Sequence, residues 1–101
     1  MKFVNYTPHD IVLNDGTIYP SLGSARVSAE FRQMNEILYS QKFGDIIGLP
    51  EPEENTIYIV SSIVLSAAKE AGRRDCVAPA TGHPDCIREN GFIKSVPGFV
   101  L

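Results

Sequence analysis

The sequence predicts a small α/β fold of the α+β kind: a small mixed sheet of hairpins with one central helix held in a β-α-β unit. Three observations carry that expectation. Asp15-Gly16 and Asn90-Gly91 each separate short β-branched or aromatic runs, the arrangement that two-residue hairpin turns favour. Residues 25–31 alternate, with Ala25, Val27, Ala29 and Phe31 on one side and Arg26, Ser28 and Glu30 on the other, as a half-buried strand does. Between residues 56 and 78 an apolar β-branched run, a helical apolar face and a second apolar run follow in close succession. With 101 residues, 44% of them hydrophobic, the chain can build one core and is too short for two, so a single domain over residues 1–101 is expected.

Each element has its own signal. Residues 3–6 open as a strand that Thr7-Pro8-His9-Asp10 ends, because proline lacks the ladder's amide donor and holds the preceding residue extended. Residues 11–13 and 17–19 flank Asn14-Asp15-Gly16 as a first hairpin. Residues 32–44 are ambiguous, since Met34, Ile37 and Leu38 have helical spacing while residues 39–44 read as strand or loop. Residues 45–49 form a short extended stretch, and residues 50–55 an acidic, proline-containing exposed loop. Residues 56–60 read as a strand; Ser61 or Ser62 then caps a helix whose apolar face is Ile63, Val64, Ala67, Ala68 and Ala71 and whose stop is Gly72. Residues 76–78 resume the extended pattern, which makes a β-α-β crossover. Residues 86–89 and 92–95 flank Asn90-Gly91 as the last hairpin.

Charge narrows the function classes. Nine Lys and Arg against twelve Asp and Glu give a net charge of −3, and Glu51, Glu53 and Glu54 account for the excess. A duplex nucleic-acid partner is not expected, because it calls for a basic surplus that neutralises phosphates. The start of the chain lacks a charged segment followed by an apolar run, and no stretch approaches about 18 apolar residues, so a cytoplasmic protein without a membrane partner is expected. Cys76 and Cys86 are expected as free thiols. With His83 and His9 they are the only soft zinc ligands, yet they lack the short Cys-x-x-Cys knuckle of a structural site, so neither a metal nor a cofactor is expected. Glycine-rich phosphate loops, HExxH and GxSxG are missing from the sequence, and an enzyme is not expected.

Two clusters suit a ligand. Arg73, Arg74 and Asp75 follow the helix, and Thr81 lies beyond the next strand; paired guanidiniums and a hydroxyl are donors that match phosphate or carboxylate. Against this, basic residues at a helix C-terminus are favoured by the macrodipole, and Asp75 can pair with either arginine as a structural ion pair. The other cluster is Thr7 and His9 on a turn rigidified by Pro8, with Tyr6 alongside as a ring on which a base can stack. Here the competing reading is that Thr7 and Asp10 only close the turn through their own backbone.

Asn5-x-Thr7-Pro8-His9, Thr56-x-Tyr58-Ile59-Val60-Ser61, and Gly72-Arg73-Arg74-Asp75 with Pro79-x-Thr81-Gly82 occur in an order by which the chain resembles a family of small phage and prophage proteins. Small phage proteins of this kind include sponges that capture the cyclic nucleotide signals of bacterial immune systems such as CBASS. The resemblance implies an oligomer whose pockets hold a phosphorylated small molecule without altering it. The function expected is therefore sequestration of a cyclic oligonucleotide signal through Tyr6, Thr7, His9, Arg73, Arg74, Asp75 and Thr81, countering host signalling. The alternative is an accessory protein that acts through protein contacts alone. A homo-oligomer is also expected from the last residues, where Phe99 and Leu101 would be covered by a neighbouring subunit.

Overall fold

In the computed structural model, which describes residues 1–101, the chain runs β1 (Lys2–Asn5), β2 (Ile11–Val12), β3 (Ile18–Tyr19), β4 (Arg26–Gln33), β5 (Tyr39–Ile47), β6 (Thr56–Ile59), α1 (Ser62–Glu70), β7 (Cys76–Pro79), β8 (Ile87–Glu89), β9 (Phe92–Ser95) and β10 (Phe99–Val100). The fold is mixed α+β. Its central sheet has the order β1-β6-β7-β10, in which β1, β6 and β7 are parallel and β10 is antiparallel to β7. Val4, Tyr58 and Cys76 stand side by side in register, as do Asn5, Ile59 and Val77. Hairpins β2–β3, β4–β5 and β8–β9 surround this sheet.

The period-two alternation of β6 divides the core between the two faces of the sheet. Tyr58 and Val60 face one way and join Val4, Cys76 and Ala78 against Val64 and Ala68 of α1. Ile59 faces the other way and joins Val77, Ile11 and Val96, with Phe3, Tyr19 and Phe99 packed around them. The helix that covers the first face starts at Ser61, whose Oγ accepts the Val64 N–H at 3.4 Å. It stops at Gly72, φ 85°, where the Gly72 and Arg73 amides donate to the Lys69 and Ala68 carbonyls, the paired bonds of a Schellman ending. In the last hairpin Asn90 and Gly91 both take positive φ, 54° and 82°, as the twist of a tight hairpin requires.

The ambiguous residues 32–44 belong to a long hairpin, which we call the arm. Gln33 pairs with Tyr39, Phe31 with Gln41 and Ala29 with Phe43. The helical spacing of Met34, Ile37 and Leu38 is that of a tip loop, closed by the Met34 amide on the Leu38 carbonyl at 2.8 Å and by Asn35, whose Oδ1 accepts the Ile37 and Leu38 amides. At the root, Val27 and Ile46 pack on the helix-side core. Between the pairs Val27–Ile46 and Ala29–Phe43 the ladder bulges: Gly44 and Asp45 stand opposite the single residue Ser28. The extra residue lets Phe43 and Ile46, three positions apart, share one face. The arm gives the molecule extents of 47 × 37 × 19 Å and a radius of gyration of 15.0 Å, against roughly 13 Å for a compact chain of about this length.

The last residues depart from expectation. Phe99 is stacked on Phe3 at 5.7 Å and meets Tyr19 edge-on at 5.5 Å, so its cover comes from its own chain through the β7–β10 pairing. Leu101 stays exposed.

Candidate functional site

Because β1, β6 and β7 are parallel, their C-terminal ends and the start of α1 meet at one edge of the sheet, the place where ligands bind in open α/β sheets. Thr7, Ser61, Ser62, Pro79 and Thr81 lie there. The opposing wall comes from β9, tied to β2 by the Val96 amide on the Val12 carbonyl (3.0 Å) and the Asn14 amide on the Val96 carbonyl (2.9 Å). Ser95 Oγ donates to Asn14 Oδ1 at 2.6 Å and fixes the same contact. The result is a cleft of about 530 Å³ whose apolar side is built by Ile11, Val12, Phe92, Ile93 and Val96, a size in the usual range for small-molecule sites. A neighbouring hollow of about 390 Å³ shares Ser62, Pro79 and Thr81 with it and extends to His83.

The turn at residues 5–9 shapes the cleft floor. Asn5, fully buried, donates from Nδ2 to the His9 and Tyr19 carbonyls at 2.8 and 2.9 Å, while its Oδ1 accepts the Thr7 amide and hydroxyl at 2.8 and 2.6 Å. Thr7 Oγ1 also lies 2.9 Å from the His9 carbonyl. The Thr7 hydroxyl is therefore engaged within the turn and presents no free proton to a ligand. His9 is exposed at the cleft, and Asp10 accepts the Ser21 amide at 2.9 Å.

Donors free to meet a ligand come from elsewhere. The first amides of α1, at Ser62 and Ile63, have no acceptor within the helix, and the helix dipole makes that end favourable to an anion. Lys94 lines the cleft at the bulge of β9, and its Nζ lies 3.3 Å from Glu89 in a pair that is exposed on both sides. Arg88 holds the Thr81 carbonyl at 2.8 Å through one guanidinium nitrogen, which brings a fork of further N–H donors beside the Thr81 loop. His83 Nδ1 accepts the Asp85 amide at 3.0 Å, which leaves Nε2 as the ring nitrogen facing outward from that turn's hydrogen bond.

Arg73 and Asp75 stand at the other edge, where β7 begins, a full strand length from Thr81. Arg73 Nε and Nη2 donate to the two oxygens of Asp75 at 2.9 and 2.8 Å, and Nη2 also donates to the Pro50 carbonyl at 3.0 Å. Its guanidinium carbon lies 5.9 Å from the centre of the Tyr58 ring. The bonds from Arg73 hold the Asp75 carboxyl below its ordinary range, and the same bonds raise the Arg73 guanidinium. Arg74 is exposed beside them. The structure thus brings Thr7, His9 and Thr81 together and separates them from Arg73, Arg74 and Asp75. Tyr6 joins neither group: its ring packs edge-on against Tyr58 at 5.6 Å, on the helix-side core. Burial pushes the Cys76 thiol up to about 11, so it is no thiolate near neutrality.

Sequence reasoning passed over Phe92, Lys94, Ser62 and Arg88. The Asn90-Gly91 turn was a readable signal, since it sets Phe92 and Lys94 on the second strand of a short hairpin. What it could not supply was the pairing of that hairpin with residues 12–14, some 80 positions earlier in the chain. Compared with family models, curated proteins and solved structures, the chain matches none.

Proposed function

We propose that the chain is a binding protein that sequesters a phosphorylated nucleotide, of the cyclic oligonucleotide class, without altering it. The observation that carries this reading is the cleft itself, which joins an open helix start to an aromatic ring, Phe92, that is 77% exposed. A phosphate placed at the Ser62 and Ile63 amides gains the helix dipole and two N–H donors, and Lys94 in the lining of the same cleft adds positive charge to it. Phe92 then offers a face for a base, and Ile11, Val12 and Ile93 exclude water from its edge. The resemblance to small phage and prophage proteins, a kind that includes sponges, agrees with the same role, one that counters a host signal.

The second reading, an accessory protein working through protein contacts, draws on the exposed apolar arm. Calorimetry against cyclic dinucleotides, cyclic trinucleotides and ADP-ribose derivatives separates the two. Binding at micromolar concentration or tighter, lost in Phe92→Ala and kept in Arg73→Ala, with the ligand recovered intact by chromatography, is the expected result. Silence across the panel, or a ligand returned cleaved, overturns it.

A further inference from the structure

The arm carries an apolar stripe that its own chain covers only at the root. On β4 and β5 the residues of one face are Ala29, Phe31, Gln33, Tyr39, Gln41 and Phe43. The bulge at Gly44 and Asp45 keeps this face continuous with Val27 and Ile46, which rest on the core beside α1. The stripe therefore leaves the core as a half-buried surface at Phe43 and becomes open at Phe31 and Tyr39, which are 66% and 54% exposed. Met34, Ile37 and Leu38 add an exposed apolar tip. The opposite face holds Glu30 across from Lys42 and Arg32 across from Ser40.

We infer that this stripe is a dimer clasp, in which Phe31, Tyr39 and Phe43 of one chain pack against the same residues of a second copy. Two features select that occupant. The stripe carries no charge, with only Gln33 and Gln41 interleaved, so it has nothing to recognise an acidic or basic partner and is self-complementary under a two-fold axis. Area agrees as well once the tip joins the contact: the five exposed side chains Phe31, Tyr39, Met34, Ile37 and Leu38, at on the order of 100 Å² each, give about 1,000 Å² from two arms, near the roughly 1,200 Å² at which specific interfaces begin. Backbone and glutamine surface make up the difference. The whole arm is neutral, Glu30, Glu36 and Asp45 against Arg26, Arg32 and Lys42, so two copies approach without strong repulsion. The clasp does not depend on what the cleft binds.

Sedimentation velocity of the full chain across a concentration series tests it. The unmodified protein is expected to be a dimer at tens of micromolar. Phe31→Ser with Tyr39→Ser is expected to raise the dimer dissociation constant on the order of a hundredfold, with the far-ultraviolet circular-dichroism spectrum of the folded chain unchanged. Ser40→Glu on the charged face and Leu101→Ser are expected to leave it as it was. A second measurement leaves every stripe residue in place: a nitroxide on Ser40→Cys, on the opposite face, in a Cys86→Ser background reports a dipolar coupling between chains. A monomer at every concentration, a dimer indifferent to the arm pair or released by Leu101→Ser, vesicle binding by a monomer, or an uncoupled nitroxide overturns the inference.

Discussion

At the edge of the sheet where β7 begins, Arg73 uses its Nε and one terminal nitrogen on Asp75 and Pro50 and lays its guanidinium over Tyr58. At the edge where β1, β6 and β7 end, the first amides of α1, the Thr81 hydroxyl and the exposed head of Lys94 surround an open cleft. The first edge holds the more conspicuous charge and the second the more usable donors. A charged cluster that is contiguous in sequence is already close to its own counter-ion, and folding has only to close the pair. Donors gathered from residues 62, 81 and 94 come from separate elements, and the one local partner among them, Glu89 beside Lys94, forms a pair that is exposed on both sides.

This contrast can be broken at the cleft floor. Asn5→Ala removes four hydrogen bonds from a buried turn and is expected to cost about 2–4 kcal/mol, since the Thr7 amide and the Tyr19 carbonyl lose this partner and the His9 carbonyl keeps only the Thr7 hydroxyl. A fall of roughly 10 °C or more in the melting midpoint checks it. Phe92→Ala sharpens the contrast from the other side: stacking on an aromatic ring is worth about 1–3 kcal/mol per base, so calorimetry should show roughly tenfold or greater loss of nucleotide affinity. Its melting midpoint should stay within about 2 °C, because the ring is mostly solvated.

Arg73→Ala should behave in the reverse manner, destabilising by about 1–2 kcal/mol with nucleotide affinity intact. The pair also carries a pH signature. Asp75 is held below its ordinary value, chiefly by the hydrogen bonds from Arg73, so its contribution is present above about pH 4 and is lost as the pH falls through the lowered value. Urea titrations between about pH 3 and pH 7 should show a steeper acid loss in the native protein than in Asp75→Asn. The smallest effect is chemical: an aromatic disulfide reagent near neutrality should label Cys86 quickly and Cys76 only after unfolding, since Cys76 is buried and its thiol is pushed up to about 11. Rapid labelling of both thiols would mean that the Arg73 edge opens in solution.

Local chemistry made much of the fold readable. Asn90-Gly91, Asp15-Gly16, the serine cap and the Gly72 stop each act within a few residues, and each lies where its signal put it. The alternation at residues 25–31 named the correct face of β4, yet the second half of the same hairpin was unreadable. Its tip places Met34, Ile37 and Leu38 at helical spacing with no packing partner in the chain to decide between helix and turn. In the candidate site, Thr7, His9 and Thr81 were legible from their turns. Phe92 and Lys94 were not, because only the contact of residues 12–14 with Val96 carries them to the cleft.

The bulge in the arm separates two properties that a ribbon usually couples. Gly44 and Asp45 together face Ser28, and a methyl group on Gly44 would come within 2.5 Å of Ser28 Oγ, so the ladder bends where it leaves the body. Removing Asp45 would restore one-to-one pairing with Phe43 and Ile46 still on the same side, while straightening the bend. What the arm displays is thus set by parity, and where it points is set by one extra residue. A single-codon deletion would re-aim the arm without altering its apolar stripe, and so change the shape of any assembly it builds while the cleft on the body stays untouched.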